Sequence, residues 1–489
     1  MITIQVANVI SKIIGLNDKY HIDALDKILS YFVQGYFHTA AFKKGFYDPK
    51  TKEWTRWDGK KHLLSKKLTF PSGTIHYVTK YFSDLNLPYQ IEDFRKDPTP
   101  RSPIPIINAS MEYREYQQRC IDAALRDKNC IIQAATGSGK SYIATSIIAK
   151  LNLKSVIYVH TKDLLRQMID DIKSYTGVEA GQIGDGKVDI KYITVAMVQT
   201  VSQAFDQKYI KYDDEELSVK DKLRLADKEN IRQFVKEVEL FIFDEAHHVS
   251  SESCQIIATK SINARYRIGM SGTAWRDDGA DLLIEAATGK KTCIVSATEL
   301  IRLGILTKPI IYLYKNATYI GKESNYAGVY REYITENKDR NLLISKIAYQ
   351  LVQKKKKVLI SVKYINHGNI LYDMLKDYVP TEFVRGELKS EDREYIKSSF
   401  ENGDLKVLIA TSLYDEGINI PALDAIVLAG GGKSSTRAIQ RIGRTLRRYE
   451  NKDRAIAIDF IDDAKFLLKH SKKRIKMYET EPGLEIKYL

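Results

Sequence analysis

The stretch Cys130-Ile131-Ile132-Gln133-Ala134-Ala135-Thr136-Gly137-Ser138-Gly139-Lys140-Ser141 decides how this chain is read. An apolar, strand-like run is followed by a glycine-rich loop and then by the helix-like Tyr142–Ile148. That order is the context of a phosphate-binding loop, where backbone N–H groups at a helix start face the ligand. About a hundred residues on, Leu240-Phe241-Ile242-Phe243 leads into Asp244-Glu245-Ala246-His247. The two segments do complementary work on one nucleotide. Thr136, Gly137, Ser138, Gly139 and Lys140 are the candidates for cradling the phosphates, with Lys140 on the β and γ groups. Ser141 and Asp244 are the candidates for holding Mg²⁺, and Glu245, next to the metal ligand, for positioning the attacking water. The chain reads as a nucleoside triphosphatase.

At 489 residues the chain is too long for one hydrophobic core, and ordinary domain sizes divide it into about three. Its 44% apolar and 28% charged residues are an ordinary globular composition. No run approaches the roughly 20 apolar residues of a membrane span. The start, Met1-Ile2-Thr3-Ile4-Gln5-Val6, has neither the basic nor the apolar segment of a signal peptide. Cys120, Cys130, Cys254 and Cys293 are scattered without CxxC spacing, which suits reduced core thiols in a cytoplasmic protein. The net charge of +14 points to a polyanionic partner.

Four of the eleven prolines fall in Asp97–Pro105, a run that can continue neither a helix nor an inner strand. Residues 96–110 are therefore expected to be an extended linker after an N-terminal domain at 1–95. That domain starts with the alternating Ile2, Ile4 and Val6, then shows helical spacing over Asp23–Phe32 and Ile75–Leu85. From Met111 onward apolar strand runs alternate with helix-like segments, at Cys130–Gln133, Ser155–Val159, Ile193–Val195, Leu240–Phe243 and Arg267–Met270. A second such region has strands at Ile310–Leu313, Lys357–Val362, Lys406–Ala410, Ala425–Leu428 and Ala455–Phe460. The expected fold is α/β: two doubly wound parallel-sheet domains, at 111–305 and 306–489, meeting at a cleft and preceded by a small α+β domain. The strongly charged Asp206–Lys236 reads as an exposed helical insertion, and Lys354–Lys357 as a solvated helix end.

The loop departs from strict G-x-x-x-x-G-K-[ST], because Ala134 stands at the first glycine. The spelling A-x-x-G-x-G-K-S resembles that of superfamily 2 helicases, and the resemblance continues in order along the chain. Arg114-Glu115-Tyr116-Gln117 is similar to the glutamine motif, which implies that Gln117 reads adenine and that the nucleotide is ATP. Thr161–Gln167 resembles motif Ia and Thr194–Thr200 motif Ic. Asp244–His247 resembles motif II, and Ser271-Gly272-Thr273 motif III. Ala410-Thr411-Ser412 with Glu416-Gly417 resembles motif V, and Gln440–Arg447 motif VI. The resemblance implies RecA-like domains, with Arg444 and Arg447 as arginine fingers, Arg447 foremost. It gives Gln440 a γ-phosphate-sensing part, counts Gly417 among the nucleotide-binding residues, and couples the ATP site to motif III through His247. It also implies that Thr161, Lys162, Gln199, Thr200, Thr411 and Ser412 grip a nucleic-acid strand through its backbone.

Two further stretches look like sites and read otherwise. Gly430-Gly431-Gly432-Lys433-Ser434 looks like a second phosphate loop, but no second acidic pair follows it, so it reads as a turn. His247-His248 lacks the spacing of a metal site. The N-terminal domain carries the strongest local bias: nine basic and three acidic residues between Lys43 and Lys67, interleaved with Phe46, Tyr47, Trp54 and Trp57. Lys43, Lys44, Arg56 and Lys60 are the candidates there for contact with nucleic acid, by phosphate pairing or by stacking at an opened end. The competing reading makes those aromatics the core of the small domain. Near the other end, Lys465, Lys469, Lys472, Lys473, Arg474 and Lys476 crowd one helix, as a phosphate-binding or a solvated face.

The small N-terminal domain, with its Trp57-Asp58-Gly59-Lys60 turn, and the compact two-domain motor resemble the UvsW-type branch-migration helicases of tailed phages. That implies an ATP- and Mg²⁺-dependent DNA motor that remodels replication forks and Holliday junctions in recombination, replication and repair. It binds branched or duplex DNA, and single strands, as a monomer, in the host cytoplasm if phage-encoded. The alternatives are an RNA helicase and a duplex translocase subunit of a restriction or repair complex.

Overall fold

The computed structural model describes the chain outside residues 34, 49–51, 108–112, 207–218, 273–280, 317–320, 322, 386–389, 412–422, 433–453 and 481–483. It divides into two compact units, Met1–Ala134 with Gly139–Ile294, and Ala135–Ser138 with Val295–Leu489. Among the described residues no helix is long and apolar enough to cross a membrane.

The first unit opens with β1 (Ile2–Val6), β2 (Ile10–Ile14), β3 (Ser30–Phe32), β4 (Phe46–Asp48), β5 (Glu53–Thr55), β6 (Lys60–His62), β7 (Thr69–Pro71) and β8 (Tyr89–Asp93). Four of these strands form a sheet in the order β7-β2-β1-β8. β1 runs antiparallel to β2 and parallel to β8. Alternation buries Ile4, Val6 and Ile13 against Leu25, Val78 and Phe82 of helices Lys19–Ile28 and Ile75–Asp84. The helical spacing read over Asp23–Phe32 stops short. The helix ends at Ile28, and Ser30–Phe32 pairs antiparallel with Lys60–His62. Tyr31 and Phe32 suit a pleated surface, and the strand partner takes up backbone groups that a longer helix would otherwise pair.

This small domain packs on the larger sheet that follows. Gly73 lies so close to the helix Asp281–Thr288 that a Cβ there would stand 2.0 Å from the Glu285 carbonyl oxygen. His76 Nε2 approaches the buried Glu285 carboxylate at 3.0 Å. The Asn8 amide donates to the Ile262 carbonyl at 3.1 Å. The linker is extended, as its prolines require, and it is pinned along the surface. Ile104 N–H donates to the Ala149 carbonyl, Ile107 N–H to the Tyr175 carbonyl, and the Arg101 guanidinium stacks 3.9 Å from the Tyr192 ring.

The large sheet of this unit comprises β9 (Asn129–Ala134), β10 (Ser155–Val159), β11 (Gly181–Gly184), β12 (Lys187–Asp189), β13 (Ile193–Met197), β14 (Leu240–Asp244), β15 (Tyr266–Ser271) and β16 (Lys291–Val295). Its order is β12-β11-β13-β10-β14-β15-β9-β16. The five apolar runs picked out of the sequence are strands β9, β10, β13, β14 and β15, and they pair parallel. Being covered on both faces, they are apolar without alternation. The segment 206–236 is only partly the exposed insertion expected. Its helix, Val219–Glu237, sends Ile231, Phe234 and Val235 into the main core, and Val238 just beyond joins them. The four cysteines are buried, and the Cys120 and Cys293 sulfurs lie 3.2 Å apart between the helix Glu115–Asp127 and β16.

The second unit carries β17 (Pro309–Lys315), β18 (Val358–Val362), β19 (Thr381–Val384), β20 (Val407–Thr411), β21 (Ala425–Val427), β22 (Ala455–Ile461) and β23 (Glu485–Tyr488). They form one sheet in the order β19-β20-β18-β21-β22-β17-β23, all pairs parallel. Arg474 departs from its reading as one of a basic face. It is buried on the helix Leu467–Thr480, 2.8 Å from the Asp459 carboxylate of β22, which also accepts from Tyr478. It is a core ion pair and unavailable to phosphate. Gly430–Gly432 is a turn, with Gly431 and Gly432 at positive φ and the Gly432 carbonyl accepting from Arg474. Its backbone is engaged with its own core, and Lys433 and Ser434 lie outside the described residues.

His367 is fully buried, with Nε2 2.9 Å from Asn341 Oδ1. Burial first, then the Arg340 charge, pushes its pKa down to about 3. The folded state keeps it neutral while the unfolded chain takes up a proton below about pH 6.5. Stability is therefore complete above that pH and is lost as pH falls toward 3. Between pH 7.5 and 5 this group alone costs about 2 kcal/mol. Urea unfolding at the two pH values should show a flatter pH dependence for His367→Gln than for the wild type. An unchanged dependence would contradict the assignment.

Candidate functional site

The site is built by strand register. β15 lies between β14 and β9, pairing Asp244 with Met270 on one side and Ser271 with Gln133 on the other. Parallel strands end together, so the turn after β14 and the loop after β9 emerge at the same edge, with Ser271 between them. Lys140 opens the helix Lys140–Leu151, and Gly137 and Gly139 before it hold φ values of +88° and +81°. Side chains disfavour that region, and a Cβ on Gly139 would also lie 2.9 Å from Gln117 Nε2. The loop is thus a bare-backbone cradle at a helix start.

Four side chains meet over this edge. Lys140 Nζ is 3.4 Å from Glu245 Oε1. Ser271 Oγ and His247 Nδ1 each approach Glu245 Oε2 at 3.4 Å, and stand 3.1 Å from one another. Glu245 itself adopts φ +53°, a conformation uncommon for a non-glycine residue and one that turns the chain sharply after β14. Burial raises the Asp244 pKa to about 6, reinforced by the adjacent Glu245 charge. Burial also pushes Glu245 upward, but the Lys140 ammonium and the His247 ring outweigh it and hold the carboxyl below its ordinary range. His160 packs against His248 with the rings tilted and their centroids 4.6 Å apart, and burial lowers its pKa to about 4. The result is one ionised carboxylate facing one lysine, beside a second carboxyl poised to ionise fully when a cation arrives.

Gln117 is buried on the helix Glu115–Asp127, where its Oε1 accepts from Arg114 N–H at 3.1 Å. That capping bond fixes the amide at the rim of the cradle. Ser141, one residue beyond Lys140, faces Asp171 of the helix Lys162–Thr176, whose carboxyl is pushed up by burial and drawn partly back by the Ser141 hydroxyl.

Of the expected strand-gripping residues, Thr161, Lys162, Gln199 and Thr200 stand at this same end of the first sheet, after β10 and β13. Thr161 follows β10 and caps the helix Lys162–Thr176 through Oγ1, which accepts from Leu164 N–H at 3.2 Å. Lys162 is exposed and shares Asp185 with Arg166, at 2.7 and 2.6 Å. Arg166 is thus a second cation on that face, identifiable in sequence only from its one-turn spacing to Lys162. Gln199 and Thr200 open the short helix after β13, with Gln199 exposed. Thr411 ends β20, buried, its hydroxyl without a hydrogen-bond partner among the described residues. Ser412, Gly417, Gln440, Arg444, Arg447 and Thr273 lie outside the described residues.

Lys43, Lys44, Arg56 and Lys60 are in the small domain, away from the phosphate loop in the chain. Lys43, Lys44 and Arg56 are exposed, and Arg56 donates to the Lys43 carbonyl at 3.0 Å. Lys60 is half-buried, its ammonium 5.0 Å from the Phe32 ring centroid. The aromatics of this region are absent from the domain's core, which is aliphatic apart from Phe70, Phe82 and a few partly buried tyrosines.

Comparison with known proteins agrees with this geometry. Residues 110–276 match the family described as type III restriction enzyme, res subunit, and residues 340–449 match the helicase conserved C-terminal domain. The chain is similar to the ATP-dependent DNA helicase uvsW of Enterobacteria phage T4, 26% identical over 94% of this chain and 93% of that protein. It is also similar to the DNA 3'-5' translocase XPB2 of Sulfurisphaera tokodaii, 27% identical over 78% of this chain and 88% of the relative. In fold it is similar to a fragment of a putative HsdR subunit of a type I restriction enzyme from Vibrio vulnificus. That match has a TM-score of 0.56 and 17% identity, and covers 91% of this chain and 77% of that one. An A-x-x-G-x-G-K-S cradle facing Asp244-Glu245 on a RecA-like parallel sheet, in a chain that also matches the helicase conserved C-terminal domain, makes this chain a superfamily 2 helicase.

Proposed function

We propose that this ATP-dependent helicase acts on DNA, moving branch points in replication forks and four-way junctions. The observation that carries the reading is the meeting of Lys140, Glu245, His247 and Ser271 beside Asp244, in a chain whose likeness to uvsW runs through the N-terminal domain as well as the motor. We assign residues 1–95 to DNA binding, 96–110 to the linker, and 111–305 and 306–489 to the two motor domains.

The residues suit ATP with Mg²⁺. Gly137 and Gly139 hold the positive φ that side chains disfavour, so the loop presents bare backbone N–H groups at a helix start, as phosphate oxygens require. Two adjacent carboxyls, with no larger acidic or histidine cluster among the described residues, suit an ion that keeps phosphate and water ligands. Mg²⁺, when bound, neutralises charge on the phosphate oxygens. Asp244 and Ser141 would hold it. Lys140 exchanges Glu245 for the β and γ oxygens, and that exchange frees the Glu245 carboxylate to orient and deprotonate water. His247 links that carboxylate to Ser271, so loss of the γ-phosphate is felt at the strand that separates the two halves of the site. Gln117 reads adenine; Gly417, Gln440, Arg444 and Arg447 complete the nucleotide site, the arginines by stabilising charge on the γ-phosphoryl oxygens. Thr161, Lys162, Gln199, Thr200, Thr411 and Ser412 grip the DNA backbone, and the basic residues of the N-terminal domain hold the branch.

Lys140→Ala should abolish ATP hydrolysis, and a variant with near-normal turnover would sink the assignment of the site. Arg447→Ala should slow hydrolysis by about 10³–10⁵-fold, with ATP binding largely spared in an equilibrium titration. For the substrate, ATPase stimulation should be compared on forked DNA, four-way junctions, linear duplex and structured RNA. Branched DNA should give the greatest stimulation. Greatest stimulation by RNA would replace this reading with an RNA helicase, and by linear duplex with a translocase.

A further inference from the structure

Strands β4 and β5 pair antiparallel with Tyr47 directly opposite Trp54. Directly opposite residues share one face of a two-stranded ribbon, so both side chains leave the same face. Both are open to solvent, Trp54 at 70% and Tyr47 at 54% of full exposure. The indole is held in place all the same, because Trp54 Nε1 donates to the Lys44 carbonyl at 3.2 Å. Neighbouring aromatics are used differently. Tyr36 stacks on Phe32, meets Phe42 edge-on, and covers Gly59, while Trp57 Nε1 donates to the Lys60 carbonyl at 2.7 Å. Those rings form the local scaffold. Tyr47 and Trp54 are left out of it.

A soluble domain gains by burying rings of this size, so two adjacent exposed ones mark a binding face. Its chemistry identifies the occupant. Between Phe42 and Lys61 there is no Leu, Ile, Val or Met, so the face lacks the aliphatic residues that dock proteins or enter lipid. Lys43, Lys44, Lys52 and Arg56 surround it, exposed, and among the described residues they make no ion pair. Rings for stacking and cations for a phosphate backbone together suit unpaired nucleotides.

Resting on the branched-DNA reading above, we propose that the Tyr47–Trp54 face, flanked by Lys43, Lys44, Lys52 and Arg56, is a stacking platform for the unpaired bases next to a DNA branch point. The platform is carried by a domain docked on the first motor sheet through Gly73, His76 and Glu285. Bases held there keep a fixed position relative to the residues that grip the strand in that unit, Thr161, Lys162, Gln199 and Thr200.

The test uses the full-length protein without nucleotide and a DNA fork carrying 2-aminopurine at the first unpaired position, beside a fully paired duplex. Wild-type protein should bind the fork more tightly than the duplex and change the 2-aminopurine emission. Trp54→Ala and Tyr47→Ala should each weaken fork binding by about 5- to 150-fold, reduce the emission change and leave duplex affinity within twofold. Trp54→Phe and Tyr47→Phe, which keep a ring, should restore most of both signals, separating stacking from misfolding. If the alanine variants bind the fork as the wild type does, with the same emission change, the platform is wrong while the branched-DNA reading stands. If the wild type itself does not prefer the fork, the branched-DNA reading fails, and the platform with it.

Discussion

Everything chemical in this molecule depends on one register: β15 between β14 and β9, with Asp244 level with Met270 and Gln133 level with Ser271. Slipping any of these strands by one residue would turn its side chains to the opposite face and remove Lys140 from Glu245. The near-continuous burial of the three strands is what forbids the slip, since each is packed on both faces. Once the register is set, the lysine and the glutamate must meet, and Ser271 and His247 must lie beside them. The Lys140 ammonium and the Glu245 carboxylate then lie 3.4 Å apart at the start of the helix Lys140–Leu151. An ionised Glu245 and a partly neutralised Asp244 follow from burial and from that one ammonium.

The same sheet supports the rest of the first unit. Arg267 of β15 is buried with its guanidinium over the Phe241 ring, and donates to the Asn8 carbonyl of the small domain. Glu285, on the helix that follows β15, meets His76. The N-terminal domain is thus anchored to the strand that carries Ser271 and to the helix after it. Its basic and aromatic face belongs to the same body as the hydrolytic edge.

The strands were legible in the sequence because a buried parallel strand is an unbroken apolar run, and the motifs because loop chemistry needs particular residues at particular spacings. Ala134 in place of glycine was information once the other motifs fell in order behind it. What was misread was masked by charge. Ile231, Phe234, Val235 and Val238 have the i, i+3, i+4, i+7 spacing of a core-facing helix, yet the acids and lysines upstream made the whole segment look exposed. Arg474 sits among lysines in sequence and among Asp459 and Tyr478 in space, a difference that only tertiary pairing creates. β11, β12, β19 and β23 were passed over because short strands with glycine, lysine or glutamate carry little pattern. Glu285 gave no signal at all, being one acid among apolar neighbours on its helix until the fold brings His76 to it.

The central claim is that hydrolysis at this edge drives a DNA branch point along the duplex. It is tested most directly by following a four-way junction with homologous arms, labelled so that branch movement releases two duplexes, with ATP or with a non-hydrolysable analogue. The account predicts release with ATP and Mg²⁺ only, and none with Lys140→Ala. Equal release with the analogue, or no release where the same protein hydrolyses ATP on that junction, would contradict it.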